Sequence, residues 1–223
     1  MSTASTDRPD RTARRRRLWA VTLAVLAAGA ALGGFFLAQQ LDREAPVLAS
    51  GTWLPRPKLI ESFELIDARG RPFTNADLTS APTLVYFGFT RCPDVCPTTL
   101  VKLAQALKQA AIGPLRVVFV TVDPERDTPA VVGLYAHAFD SSFQGVTGTS
   151  EAIRSVAKNF AVAFNRVDLP GGDYTMDHSA VLFLVDARGI VAIFTPPFEA
   201  PALAADLKRA APHLVPATGR HPT

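Results

Sequence analysis

Residues 83–99 read TLVYFGFTRCPDVCPTT, and this stretch decides the fold. Thr83–Phe89 is apolar almost throughout, which predicts a strand covered on both faces. Leu100, Leu103, Ala104, Leu107 and Ala111 then recur at helical spacing. Pro97 marks the junction. Proline suits the first helical position, where its missing N–H costs nothing; deep inside a helix begun at Pro93 it would lose a backbone bond and clash. The predicted helix therefore starts at Pro97, with Cys96 as N-cap and Cys92 one turn upstream. These are the two cysteines of the chain. Free helix N–H groups and the positive end of the dipole would surround both sulfurs and acidify them. The thiolate is the form that binds metal or attacks a disulfide.

In an exported protein two cysteines often form only a structural disulfide. A bridge from Cys92 to Cys96 closes a loop of five residues. Chain entropy gives such a loop about 2 kcal/mol, against about 4.7 for a 100-residue loop. The spacing is poor for a staple and good for a chelate or a redox switch.

Outward from the motif, strands and helices alternate. Ser62–Ile66 and Arg71–Phe73 flank a turn at Asp67–Gly70 and predict a hairpin. Leu115–Val122 is a second buried strand. Thr128 and Pro129 are the N-cap and first residue of a helix to Phe139. Ser141–Gly148 reads as a connection, Glu151–Phe164 as a helix, and Asn165–Asp177 as a loop without apolar periodicity. Ser179–Val185 and Ile190–Thr195 form a hairpin around Asp186–Gly189, and Glu199–Ala211 is a closing helix. The pattern predicts an α/β sheet with helices outside, whose sites lie at the carboxyl ends of strands. Cys92 and Cys96 fall just past such an end.

The net charge of +3 is not a property of this domain. Residues 1–17 hold six Arg and two Asp, which leaves 17 Lys+Arg against 18 Asp+Glu in the remainder. A nearly neutral domain implies no nucleic-acid partner. Arg14–Arg17 precedes 21 uncharged residues, 18–38, LWAVTLAVLAAGAALGGFFLA. As a helix this spans about 30 Å, the hydrocarbon thickness. The arginines keep the N-terminal side in the cytoplasm. A cleaved signal peptide is the alternative, but its apolar region usually runs about 7–15 residues. The expected organisation is a cytoplasmic basic tail (1–17), a transmembrane helix (18–38), a tether (39–57), a folded domain (58–212) and a disordered tail (213–223). The domain would lie outside the cytoplasm: in the periplasm, with the anchor in the inner (plasma) membrane, or in the intermembrane space if the protein is mitochondrial.

Phe87–Pro97, FGFTRCPDVCP, resembles the thiol motif of the Sco/SenC proteins, thioredoxin-like copper chaperones for cytochrome c oxidase. Val122–Pro129, VDPERDTP, is similar to that family's second signature, and Asp177–Ser179, DHS, to the segment carrying its distal histidine. The likeness runs from about Ser62 to Ala211, with Arg91 standing where many members have histidine. It implies a thioredoxin-like domain and a copper site of Cys92, Cys96 and His178.

The chemistry agrees. Copper(I) is soft and takes thiolates, and imidazole suits both copper(I) and copper(II). A structural zinc site wants four protein ligands. Of the four histidines, His213 and His221 sit in the expected tail and His137 lies within a predicted helix; His178 is where the family's ligand maps. Asp177 either orients His178 or merely solvates its loop. Asp94 reads as a turn residue. Asp127 and Thr128 read as helix capping, and Arg126 as an ion-pair partner.

The resemblance implies a metallochaperone that delivers copper to the CuA centre of cytochrome c oxidase subunit II. It would need a copper donor and a thiol reductant outside the cytoplasm, and no enzymatic step. The competing reading is a thiol–disulfide oxidoreductase that reduces the oxidase's copper-site cysteines, with Cys92 and Cys96 as its redox pair. The CxxxC spacing, rather than CxxC, favours metal. A peroxidase is disfavoured, since its acidic thiol would be short-circuited by the second one.

Overall fold

The computed structural model describes residues 19, 21–34 and 45–216. The chain divides into two units, 1–44 and 45–223. In the first, residues 21–34 are helical (α1), with Val21, Leu23, Val25, Leu26 and Leu32 exposed. Among the described residues no helix is long and apolar enough to cross a membrane. The expected span 18–38 reaches beyond the described residues at both ends, and the basic tail 1–17 lies wholly outside them.

The second unit is built on eight strands in the order β1-β10-β9-β4-β5-β6-β2-β3. The centre is parallel: β4 (Thr83–Gly88), β5 (Arg116–Thr121) and β6 (Phe143–Thr147). Helices α3 (Val95–Ala110) and α4 (Pro129–Phe139) connect them. Every residue of β4 is buried, as a strand covered on both faces should be. The hairpin of β9 (Leu182–Asp186) and β10 (Gly189–Phe194) runs antiparallel against β4. The hairpin of β2 (Glu64–Asp67) and β3 (Pro72–Thr74) closes the far edge beside β6, followed by a short helix, α2 (Asn75–Thr79). Helices α5 (Ser150–Asn159) and α6 (Ala200–Ala210) complete the unit. Phe87, Phe119, Phe143, Leu100, Leu103, Leu184 and Phe194 fill one continuous core.

Four expectations are corrected. The tether does not extend to residue 57: β1 (Gly51–Lys58) pairs with β10, and the Ala49 and Ser50 N–H groups donate to the buried Asp206 carboxylate at 2.8 and 2.7 Å. Pro55 and Pro57 disguised an edge strand; they fall where its register with β10 is interrupted, and both an edge and a bulge tolerate proline. The connection at 141–148 contains β6. Gly145 interrupts its apolar pattern because a Cβ there would collide with the Val132 carbonyl of α4. The loop at 165–177 is a two-stranded ribbon, β7 (Phe164–Asp168) with β8 (Tyr174–His178), whose polar, part-exposed residues carry no core periodicity. The tail is folded at least to residue 215. Arg188 bridges the buried Asp186 carboxylate (2.6 Å) and the His213 carbonyl (2.9 Å), and the Val215 N–H donates to Asp186 at 3.0 Å.

Candidate metal centre

The sulfurs sit where β4 gives way to α3. The helix begins at Val95 with Asp94 as N-cap, so Cys96 is its second residue and Pro97 its third. The expected start at Pro97 is two residues too late. The reason is that the third helical N–H also lacks an intrahelical acceptor, so proline costs nothing there either; the first helical bond runs from the Thr98 N–H to the Asp94 carbonyl. The free N–H of Cys96 donates to Cys92 Sγ at 3.4 Å, so the helix terminus does face a sulfur. Both cysteines are free thiols; Cys92 is half-buried and Cys96 buried. Gly88 permits this packing, because a Cβ there would lie 2.8 Å from Cys96 Sγ and 2.8 Å from the Phe119 ring.

Acidification of Cys96 is not what the structure gives. Burial pushes the Cys96 thiol up to about 12, with the Cys92 charge adding to it and a backbone hydrogen bond involving Phe89 opposing. Loss of solvent outweighs the helix terminus. Beside it, the Tyr86 hydroxyl is buried and meets no hydrogen-bond partner of ordinary geometry among the described residues. Burial, and next the Cys96 charge, hold that phenol in its protonated form, ready to donate to a Cys96 thiolate.

His178 ends β8, opposite Phe164. Its Nδ1 lies 3.3 Å from the Ser179 carbonyl and its Nε2 3.4 Å from Cys96 Sγ. A carbonyl only accepts, so Nδ1 carries the proton and Nε2 presents its lone pair to the sulfur. Phe89 meets the imidazole edge-on at 5.9 Å and Tyr86 at 6.4 Å. Burial depresses the imidazole's pKa, which keeps it neutral and able to ligate. The ring is thus oriented by a backbone carbonyl, not by Asp177, which is exposed and makes no bond to it. His137 is exposed and His213 packs on Trp53 at 5.9 Å; neither joins the site, and His221 lies outside the described residues.

The second signature braces both halves of the site. Asp127, fully buried, accepts from the Thr90 N–H (3.0 Å), the Thr90 hydroxyl (2.6 Å) and the Thr121 hydroxyl (2.6 Å). It ties the cysteine loop to the end of β5 rather than capping α4, a role that falls to Thr128 alone. Arg126 pairs with Asp123 at 2.5 Å and donates to the Tyr174 carbonyl at 2.8 Å; the Tyr174 hydroxyl donates to Asp123 at 2.8 Å. The guanidiniums of Arg126 and Arg166 lie 3.6 and 3.8 Å from the Tyr174 ring centre. Tyr174 opens the strand that ends in His178. Tyr86, Asp123 and Tyr174 were not singled out from sequence as parts of this arrangement, and only the clustering of charge at 123–127 hinted at it.

The ligand atoms of Cys92, Cys96 and His178 lie within 4.8 Å of one another, close enough for one ion. A cavity of about 210 Å³ opens beside Cys92 and His178, lined also by Phe89, Met176 and Ala180 among others. The SCO1/SenC family model matches residues 53–212. The chain belongs to the SCO1/SenC family. It is 36% identical over 169 residues to the bovine mitochondrial SCO2 homolog, covering 73% of this chain and 64% of that one, just under two thirds. The structure of Bradyrhizobium japonicum ScoI with copper bound matches at 38% identity and a TM-score of 0.61, covering 68% of this chain and 98% of that one. Copper-bound Arabidopsis thaliana ScoI matches at 33% identity and 0.66, covering 69% and 98%. These neighbours share the α/β thioredoxin-like Sco fold. Copper-bound structures among them and the two-sulfur, one-imidazole group here support copper as the metal.

Proposed function

We propose that this Sco protein is a copper metallochaperone, anchored in a membrane by residues 18–38, which carries copper on Cys92, Cys96 and His178 to the CuA centre of cytochrome c oxidase subunit II. A solved relative, at 24% identity, is described as belonging to the Sco family of cytochrome c oxidase assembly proteins. The observation that carries the reading is His178: its Nε2 lone pair is held toward the sulfurs by the Ser179 carbonyl, a device that a disulfide does not need. The donor set is soft, suited to copper(I), and three donors leave a position for an incoming thiolate. Cys92 is the more exposed sulfur and is the one an acceptor reaches first. Transfer then proceeds by ligand exchange, with Cys96 and His178 released last.

The domain faces the periplasm, or the intermembrane space in a mitochondrion. The bovine relative's mitochondrial setting and the arginine run before residue 18 support that side. The two sulfurs within 4.8 Å of each other also favour a second reading, a dithiol that reduces the oxidase's copper-site cysteines. Metal analysis of the full chain separates the two. One copper per chain is expected, lost in Cys92→Ser and in Cys96→Ser and strongly weakened in His178→Ala. Copper retention unaffected by His178→Ala would remove the imidazole from the site and favour the dithiol reading.

A further inference from the structure

The cavity beside Cys92 and His178 is not lined only by groups that the chaperone reading uses. Met176 lines it together with Cys92 and His178. Residues two apart on a strand share a face, so Met176 and His178 project from the same side of β8. Met176 is half-buried against the core and also lines a second cavity of about 140 Å³, next to Phe164 and Tyr174. It therefore stands between the metal cavity and open space on its other side. Its unbranched thioether chain can move toward either. Thioether sulfur is a soft donor that selects copper(I), whereas copper(II) prefers harder nitrogen and oxygen ligands in a tetragonal arrangement. Two thiolates and one imidazole leave copper(I) one coordination position short of four, and the cavity with Met176 in its wall is where that position opens.

We propose that the Met176 thioether is a further ligand for copper(I), reaching the ion through the cavity it shares with Cys92 and His178. This rests on the proposed copper site and adds a selectivity to it. Met176 holds copper(I) in preference to copper(II) and yields its position to an incoming thiolate, a stronger donor, during transfer. The thioether is neutral at all pH values, so this ligand adds no proton competition.

The chain has two methionines, Met1 and Met176, which makes the test direct. The full chain is produced with selenomethionine and loaded with copper(I), and X-ray absorption is recorded at the selenium and copper edges. The selenium-edge spectrum is expected to show a copper neighbour in the wild type and none in Met176→Leu, where Met1 alone remains. Leucine nearly conserves the volume, so the fold should tolerate it. In that variant copper(I) should bind about tenfold more weakly with copper(II) binding unchanged, which lowers the copper reduction potential by about 59 mV. Copper held by sulfur and nitrogen donors with no copper neighbour at selenium would overturn the Met176 proposal and leave the three-ligand site standing. A folded chain that retains no copper at all would overturn both.

Discussion

Replacing Asp127 tests whether the second signature holds the site in shape. The carboxylate is fully buried and accepts three hydrogen bonds, two from Thr90 and one from Thr121. Hydrogen bonds to a charged group contribute roughly 1.5–3 kcal/mol each, and a buried donor left without a partner costs roughly 1–3. In Asp127→Ala the part-buried Thr90 N–H loses its acceptor, while the two hydroxyls can turn elsewhere. The expected loss is about 3–5 kcal/mol, a large part of a typical domain's stability. In Asp127→Asn the side-chain oxygen can still accept from the Thr90 N–H and Thr121, and its amide can donate to the Thr90 hydroxyl. That loss should be only about 1–2 kcal/mol, the difference between charged and neutral bonds. Denaturant unfolding of the metal-free chain gives the stabilities, and copper(I) competition gives the affinity. Copper affinity should fall in the same order, because Thr90 leads directly into Cys92. Equal stability of the two variants would refute this account of Asp127, as would an Asp127→Ala protein within about 0.5 kcal/mol of wild type.

Three further outcomes are expected. Copper(I) affinity should rise about tenfold per pH unit between pH 6 and 8 from the Cys96 proton alone; its thiol lies far above that window, so one proton must leave on binding, and a flat profile would contradict the burial argument. Tyr86→Phe should leave the metal-free protein as stable as wild type or more so, since the hydroxyl it removes is buried and has no partner of ordinary geometry among the described residues, yet weaken copper binding about tenfold, or about 1.4 kcal/mol, by removing a donor to the Cys96 thiolate; unchanged affinity in competition titration would take Tyr86 out of the site. A reporter fused after Thr223 should be active only outside the cytoplasm, and activity of a cytoplasm-only reporter there would reverse the proposed topology.

The centre of the sheet could be read from sequence because its strands are buried on both faces: Thr83–Gly88 and Arg116–Thr121 carry continuous apolar runs, and the proline and threonine at 128–129 cap a helix as they stand. The β2–β3 edge hairpin was legible from its turn at 67–70, but the β1 edge and the β7–β8 ribbon were not. β1 hides behind prolines that sit at a sheet edge and within a break in its register, and β7–β8 presents polar residues to solvent. Cys92, Cys96 and His178 were legible as a set through motif and order, and the fold brings them together although Cys96 and His178 are 82 positions apart. What holds them was not. The Ser179 carbonyl acts through its backbone, which leaves no sequence signal. Asp127 looks like a helix cap until Thr90, 37 residues away, is seen to bond to it. The charge state of Cys96 was misjudged because helix position is local and readable, whereas burial depends on the whole core.

The measurement that bears most directly on copper delivery is assembly of the CuA centre in cells whose only copy of this protein carries His178→Ala. Loss of copper from the site predicts loss of CuA, restored by excess copper in the medium. Full assembly without added copper would contradict the account, since thiol exchange by Cys92 and Cys96 would then suffice.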